Sequence, residues 1–415
     1  MSSHGISDQV AIVSMGCTPF KEHWDKGADD LLVDAVTQTT AAVGLVPNDI
    51  DAYWLGTSQS GASGMMAAGP LKLEGKPVSR VENYCATGSE ALRMAAYAVA
   101  SGAYDTALAV GVEKVKDGGY QGLNAFPYPT DGTQRTLTAA AMFSLVAPAY
   151  ARRYGIDEDD LRRVLATIAS KNHYNGARNP LAQFRKEMDV DAICAMPAVA
   201  GRLGVFDCAG VADGSSAAMI VRAEDAHKYC DNPLYIKALS LVAGNGSGLL
   251  DPDYDYTTFP ECVAAGEDAY AQAGITDPRT ELAMAEVHDC FTPTELVLME
   301  DLGFSKRGEA YTDVTDGVFD LKGDLPVNSD GGLKSFGHPV GASGLRMIYE
   351  LWLQLRGEAP EDRRISTADR GLGLTHNLGG YPGEMVSFVG ICGVSSAAEQ
   401  HERPVAGYPQ DRGSQ

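Results

Sequence analysis

VENYCATGSEALRMAAYAVASGAYDTALAVGV, residues 81 to 112, decides the fold. A cysteine at 85 stands before a run of small apolar residues that reads as a helix over Ser89 to Ser101, closed by Gly102. TALAVGV, 106 to 112, then reads as a buried strand. The same alternation lies upstream. QVAIVSMG (9–16) is an apolar run ended by glycine, LLVDAVTQTTAAVGL (31–45) has helical periodicity, and DAYWLGTS (51–58) is strand-like. Strands alternating with helices predict an α/β protein with a largely parallel sheet.

Residues from about 115 to 205 break the pattern with glycine, proline and tyrosine clusters, charged helices and KNHYNGARNPLAQF (171–184). They read as an insertion over the sheet. Sheet-like text resumes at SSAAMIVR (215–222) and PLYIKALSLV (233–242). From about 245 the pattern begins again. A helix at 261–274 precedes a strand at AMAEV (283–287), a glycine-rich loop, a helix at 343–356 and strands near 371–377 and 384–391. Each half thus carries a reactive side chain beside a glycine-rich turn that feeds a helix, the mark of an internal duplication. The expected division is 1–245, including the insertion, then 246–393. Residues 394–415, polar with proline and glycine, read as a mobile tail.

Acidic residues outnumber basic ones 55 to 33, and a net charge of −22 repels a phosphate backbone, so nucleic acid is not expected as a partner. The eight cysteines show no C-x-x-C spacing, which argues against a zinc or haem site and a disulfide framework. With no signal peptide read at the start and no apolar run long enough to span a bilayer, a reducing cytoplasm and no membrane partner are expected.

Three stretches could carry chemistry. Cys85 precedes a helix start, whose unpaired N–H groups and dipole would lower a thiol pKa and stabilise charge on a substrate oxygen. The alternative is a small buried cysteine filling a gap. NSDGGLKSFGHPVGASGL (328–345) holds His338 between Gly337 and Pro339, a loop that fixes one imidazole ahead of a helix unless His338 is simply a surface residue. HDCFT (288–292) follows the strand AMAEV; His288 and Cys290, two apart, would share one side of an extended chain. They suit acid/base work better than a metal pair, since no other Cys/His pair completes a site. No G-x-S-x-G or P-loop pattern competes.

Together with ADGSSAA (212–218) and HNLGG (376–380), these stretches resemble the thiolase superfamily, closest to the sterol-carrier-protein-type thiolases and their bacterial and archaeal relatives. The markers run in the family's order to about residue 393. The resemblance implies two fused βαβαβαββ halves in a five-layered α-β-α-β-α core with a loop domain inserted in the first. It implies a homodimer or homotetramer, coenzyme A thioesters as substrates and no permanently bound cofactor or metal. By motif, Cys85 matches the acylated nucleophile and His338 the base that activates it. His288 stands where many thiolases have the Asn of N-E-A-F, which helps bind the second substrate's thioester oxygen. The C-x-G cysteine of many thiolases is missing: Asn377, Gly379 and Gly380 occupy that segment as substrate-binding or oxyanion-hole residues, and Cys290 is the candidate acid/base. Cys85, His288 and His338 also match the Cys-His-His set of decarboxylating condensing enzymes. The N-L-G-G-Y ending also occurs in aldolases and acyltransferases, some of which bind a small zinc-ribbon/OB-fold protein.

Overall fold

The computed structural model describes residues 4–118, 127–130, 133–136, 138–367 and 370–395. Nine strands form its central sheet: β1 (Val10–Cys17), β2 (Ala52–Gly56), β3 (Val78–Val81), β4 (Thr106–Glu113), β5 (Gly214–Arg222), β6 (Leu234–Ala243), β7 (Leu282–Glu286), β8 (Leu372–Tyr381) and β9 (Glu384–Gly393). Seven helices matter for the site: α1 (Ala28–Ala41), α2 (Thr87–Ala100), α3 (Glu158–Ala177), α4 (Pro260–Ala273), α5 (Thr292–Asp301), α6 (Gly332–Phe336) and α7 (Ser343–Leu355).

The sheet order is β7-β8-β9-β6-β1-β5-β4-β2-β3, and it shows the duplication directly. The run β1-α1-β2-α2-β4-β5 and the run β6-α4-β7-α7-β8-β9 lay down the same neighbours. In each, the first crossover strand pairs in parallel with the next (β2 with β4, β7 with β8), and the remaining pairs are antiparallel (β4–β5–β1, β8–β9–β6). The two runs meet where β1 pairs with β6 through Ala11–Tyr235 and Ile12–Leu234. The expected division at 245/246 falls just after this joining strand.

The sheet is mixed, which corrects the largely parallel expectation. Helical crossovers make parallel neighbours, but β8 and β9 are joined by a tight turn at Gly383 (φ +92°), and such a hairpin is necessarily antiparallel.

The helices make the layers. Leu31, Leu32 and Val36 of α1 pack under Leu55 and Val110. Leu92 and Val99 of α2 and Leu345 and Ile348 of α7 form the middle layer, against both halves of the sheet. Cys262 and Ala265 of α4, with Leu296 of α5, cover Val389 and Ile391. Each fully buried leucine contributes roughly 1.5–3 kcal/mol of apolar burial. Alanine-rich α2 suits a helix covered on two sides, because small side chains let neighbours approach closely. It starts at Thr87, two residues before the expected Ser89.

The expected insertion, about 115–205, holds α3 and several short elements. No helix of the described residues is long and apolar enough to cross a membrane. The expected mobile tail lies, from residue 396 on, outside the described residues.

Candidate active site

Cys85 is set by an unusual backbone. Tyr84 before it has φ +49°, in the left-handed region. Local bonds hold that conformation: Tyr84 N–H donates to Glu82 Oε1 (2.8 Å), Asn83 N–H to Thr87 Oγ1 (2.9 Å), and Thr87 Oγ1 to Tyr84 O (2.5 Å). The turn presents a half-buried thiol at the start of α2. From the other half of the molecule, Gly379 of β8 packs against this turn so tightly that a Cβ there would lie 2.5 Å from Asn83 O and 3.1 Å from Cys85 N.

His338 arrives from the opposite side. Its loop crosses β4 where Gly341 O and Gly111 nearly touch; a Cβ on Gly111 would sit 2.1 Å from that oxygen. Gly337 takes φ +111° to make the bend, and His338 N–H donates to Gly210 O at 2.7 Å. Asp289 ties the loop to the end of β7 by accepting from Leu333 N–H (2.6 Å) and Lys334 N–H (3.1 Å). The middle residue of HDC is therefore a brace that sequence reasoning overlooked.

The two imidazoles meet edge to face with centroids 5.3 Å apart. A ring nitrogen from each and Cys85 Sγ all lie within 4.8 Å of one another. Hydrogen bonds define the two tautomers. Ser343 Oγ donates to Pro339 O (2.9 Å), so at 2.7 Å from His338 Nδ1 it accepts, and His338 carries its proton on Nδ1. Its Nε2 lone pair, buried and unpartnered, is left for the thiol. Asn377 Nδ2 donates to His288 Nδ1 at 3.1 Å, so His288 carries its proton on Nε2, also buried and unpartnered. One ring accepts and the other donates. A cation held by all three residues would need the lone pair of His288 Nε2, which this hydrogen bond opposes.

Electrostatics keep the group neutral. Burial and then Arg346 push His338 down to about 3. Burial, then His338, His376 and Arg346, push His288 well below the usual imidazole range. Burial and the carboxylates Glu82 and Glu113 raise the Cys85 thiol to about 12, although its own backbone N–H pulls the other way. This corrects the expected lowered thiol pKa. The helix start is present, but desolvation and two nearby acids outweigh it. At rest the site is a thiol beside a neutral base, not a thiolate–imidazolium pair.

Cys290 stands just outside the three-residue cluster. Its thiol contacts Thr294 Oγ1 at 3.8 Å, and burial followed by the charge of Cys85 raises it well above the ordinary range. Gly380 (φ +98°) shapes the end of β8 beside Gly379. Ser343, which bonds His338, and Ser89, which bonds Asn377, were not singled out in the sequence; their only signal was a small polar residue one turn from each reactive side chain.

The chain matches the family descriptions "Thiolase, N-terminal domain" over residues 10–224 and "Thiolase C-terminal domain-like" over 250–389. It is 34% identical over 388 residues to an acetyl-CoA acetyltransferase of Methanothermobacter thermautotrophicus, covering 90% of this chain and 97% of that protein. It is 30% identical to human sterol carrier protein 2 over 89% of this chain and 70% of that protein. Among solved structures, the Ltp2-ChsH2(DUF35) aldolase superposes with a TM-score of 0.77 at 22% identity, covering 94% of this chain and 98% of that one.

Proposed function

This chain belongs to the thiolase family, and on that premise we propose that it is an acyl-CoA C-acyltransferase that makes and breaks the carbon–carbon bond of 3-oxoacyl-CoA through an acyl-enzyme on Cys85. The observation that carries this reading is the convergence of Cys85 Sγ with one ring nitrogen of His338 and one of His288, all within 4.8 Å.

Cys85 Sγ attacks the thioester carbonyl of the first acyl-CoA, and its proton passes to His338 Nε2. Cys290 Sγ–H protonates the departing coenzyme A thiolate, leaving acyl-Cys85, an imidazolium at His338 and a thiolate at Cys290. A raised thiol pKa makes this assistance necessary, because free thiolate is scarce. The backbone at Cys85, with Gly379 or Gly380 against it, receives the negative charge of the tetrahedral intermediate. The second acyl-CoA rests its thioester oxygen on His288 Nε2–H. The Cys290 thiolate takes its α-proton; the high basicity of this thiolate suits abstraction from carbon, where the proton is weakly acidic. The carbanion attacks the acyl carbon, Cys85 departs as thiolate, and the proton held on His338 returns to it. Thiolysis runs the same steps backwards.

A decarboxylating condensation would use the same Cys-His-His set; Cys290, a base where decarboxylation needs none, favours the thiolase reading. The Ltp2-ChsH2(DUF35) aldolase supports a second reading, that the chain works with a zinc-ribbon/OB-fold partner. The half-buried edge strand β3, which among the described residues pairs only with β2, supports assembly as a homodimer, alone or paired into a tetramer. The test is turnover of acetoacetyl-CoA and coenzyme A by the purified chain. Wild type should cleave the substrate and Cys85→Ala should not; equal rates in both would overturn the reading.

A further inference from the structure

We propose that Ser89, acting through Asn377, fixes the tautomer of His288 and thereby makes this imidazole an obligate hydrogen-bond donor instead of a second base. The proposal rests on the transferase reading above and concerns a residue outside the reacting set.

Three side chains form a line across the middle of the molecule. Ser89 lies in the first turn of α2, Asn377 in β8 of the other half, and His288 just past the end of β7. All three are completely buried. Ser89 Oγ donates to Asn377 Oδ1 at 2.6 Å. With Oδ1 turned to this hydroxyl, the NH₂ end of the amide faces His288 and donates to Nδ1 at 3.1 Å. With Nδ1 occupied as an acceptor, the only proton of the neutral ring sits on Nε2, which is buried and makes no hydrogen bond.

Two further observations show that the line is built. Gly344 of α7 lies against it: a Cβ there would come 2.2 Å from Ser89 Oγ and 2.5 Å from Asn377 Oδ1. The site also contains the opposite device, Ser343, which leaves His338 with a free Nε2 lone pair. Two chemically identical rings are therefore assigned unlike tasks by two serines, one acting directly and one through an amide. Asn377, expected in the sequence as a substrate-binding or oxyanion-hole group, is in this account a positioning residue, as is Ser89.

Asn377→Asp tests the idea, because it keeps shape and reverses polarity. The carboxylate still accepts from Ser89, but it also accepts from His288 Nδ1–H, which moves the ring proton off Nε2. Full-length protein carrying ¹⁵N-labelled histidine, with the His288 signals identified by His288→Gln, reports the tautomer without reference to activity. Wild type should show Nε2–H and Asn377→Asp should show Nδ1–H. Wild type with Nδ1–H, or Asn377→Asp retaining Nε2–H, overturns the proposal.

The second readout is exchange of the α-protons of acetyl-CoA with solvent, expressed relative to the Cys85 adduct each variant forms. Asn377→Asp should lower this ratio by about 10²–10³, the cost of losing an oxyanion donor. Asn377→Ala should lower it less, since the ring then chooses its own tautomer, and Ser89→Ala least. A packing or direct substrate-binding role predicts the reverse order for the two Asn377 variants, and that order refutes the relay. Absence of any adduct on wild-type Cys85 would refute the transferase reading instead, with the tautomer measurement still deciding the relay.

Discussion

The resting state of Cys85 gives the sharpest quantitative test. With the thiol raised to about 12, roughly one molecule in ten thousand is ionised at about pH 8, against about one in four for an ordinary thiol. Each thiolate is more nucleophilic because it is more basic; a Brønsted slope of about 0.4–0.5 recovers about 1.5 orders of magnitude. Iodoacetamide should therefore alkylate Cys85 roughly 40- to 100-fold more slowly than a free thiol at about pH 8. The rate should climb about tenfold per pH unit up to about pH 11, because ionisation of a thiol with a raised pKa is deferred to higher pH. His338 is already neutral well below these values, at about 3, so His338→Gln should change the alkylation rate only a few-fold. The assay is peptide-resolved mass spectrometry of alkylation against pH. Fast, pH-independent labelling from about pH 5 that collapses in His338→Gln would show an ion pair and refute the neutral-pair account.

Cys290→Ala should leave acylation of Cys85 intact while abolishing α-proton exchange of acetyl-CoA; unchanged exchange removes Cys290 from the chemistry. Gly344→Ala should destabilise the fold by about 1–3 kcal/mol by overpacking and also depress exchange, because its Cβ meets Ser89 and Asn377; normal melting and turnover would contradict the close approach. Arg346 is fully buried and bonds Glu286 (3.2 Å) and Asp330 (2.5 Å) beneath the His338 loop. Arg346→Met strands these acids and should cost about 3–5 kcal/mol of stability in denaturant unfolding; an unchanged midpoint would show that one carboxyl simply takes up a proton.

The fold was legible wherever burial on both faces leaves a continuous apolar run. TALAVGV is a strand buried along its whole length, and Gly102, at φ +74°, closes α2. The restart near 245 was legible as a repeat, since the same strand–helix order recurs. Strand direction was not: the pairing of β1 with both β5 and β6 depends on contacts between segments some 200 residues apart, which local periodicity does not carry.

In the site, Cys85, His288 and His338 were legible because glycine and proline around a reactive side chain mark a backbone shaped for approach. Charge state was not, because it depends on Glu113 of β4 and Arg346 of α7, which only folding brings near. Nor were Ser89 and Ser343, whose importance lies in where one proton points. Asp289 sat in plain view between two reactive residues, yet its role in bracing α6 depends on a helix more than 40 residues away.

The most direct test of the central claim is intact-protein mass spectrometry after brief exposure to acetyl-CoA, followed by peptide mapping. The account predicts one acetyl group per chain, carried on Cys85 and lost on adding coenzyme A. An acetyl group mapped to another cysteine, with Cys85 unmodified, would contradict it.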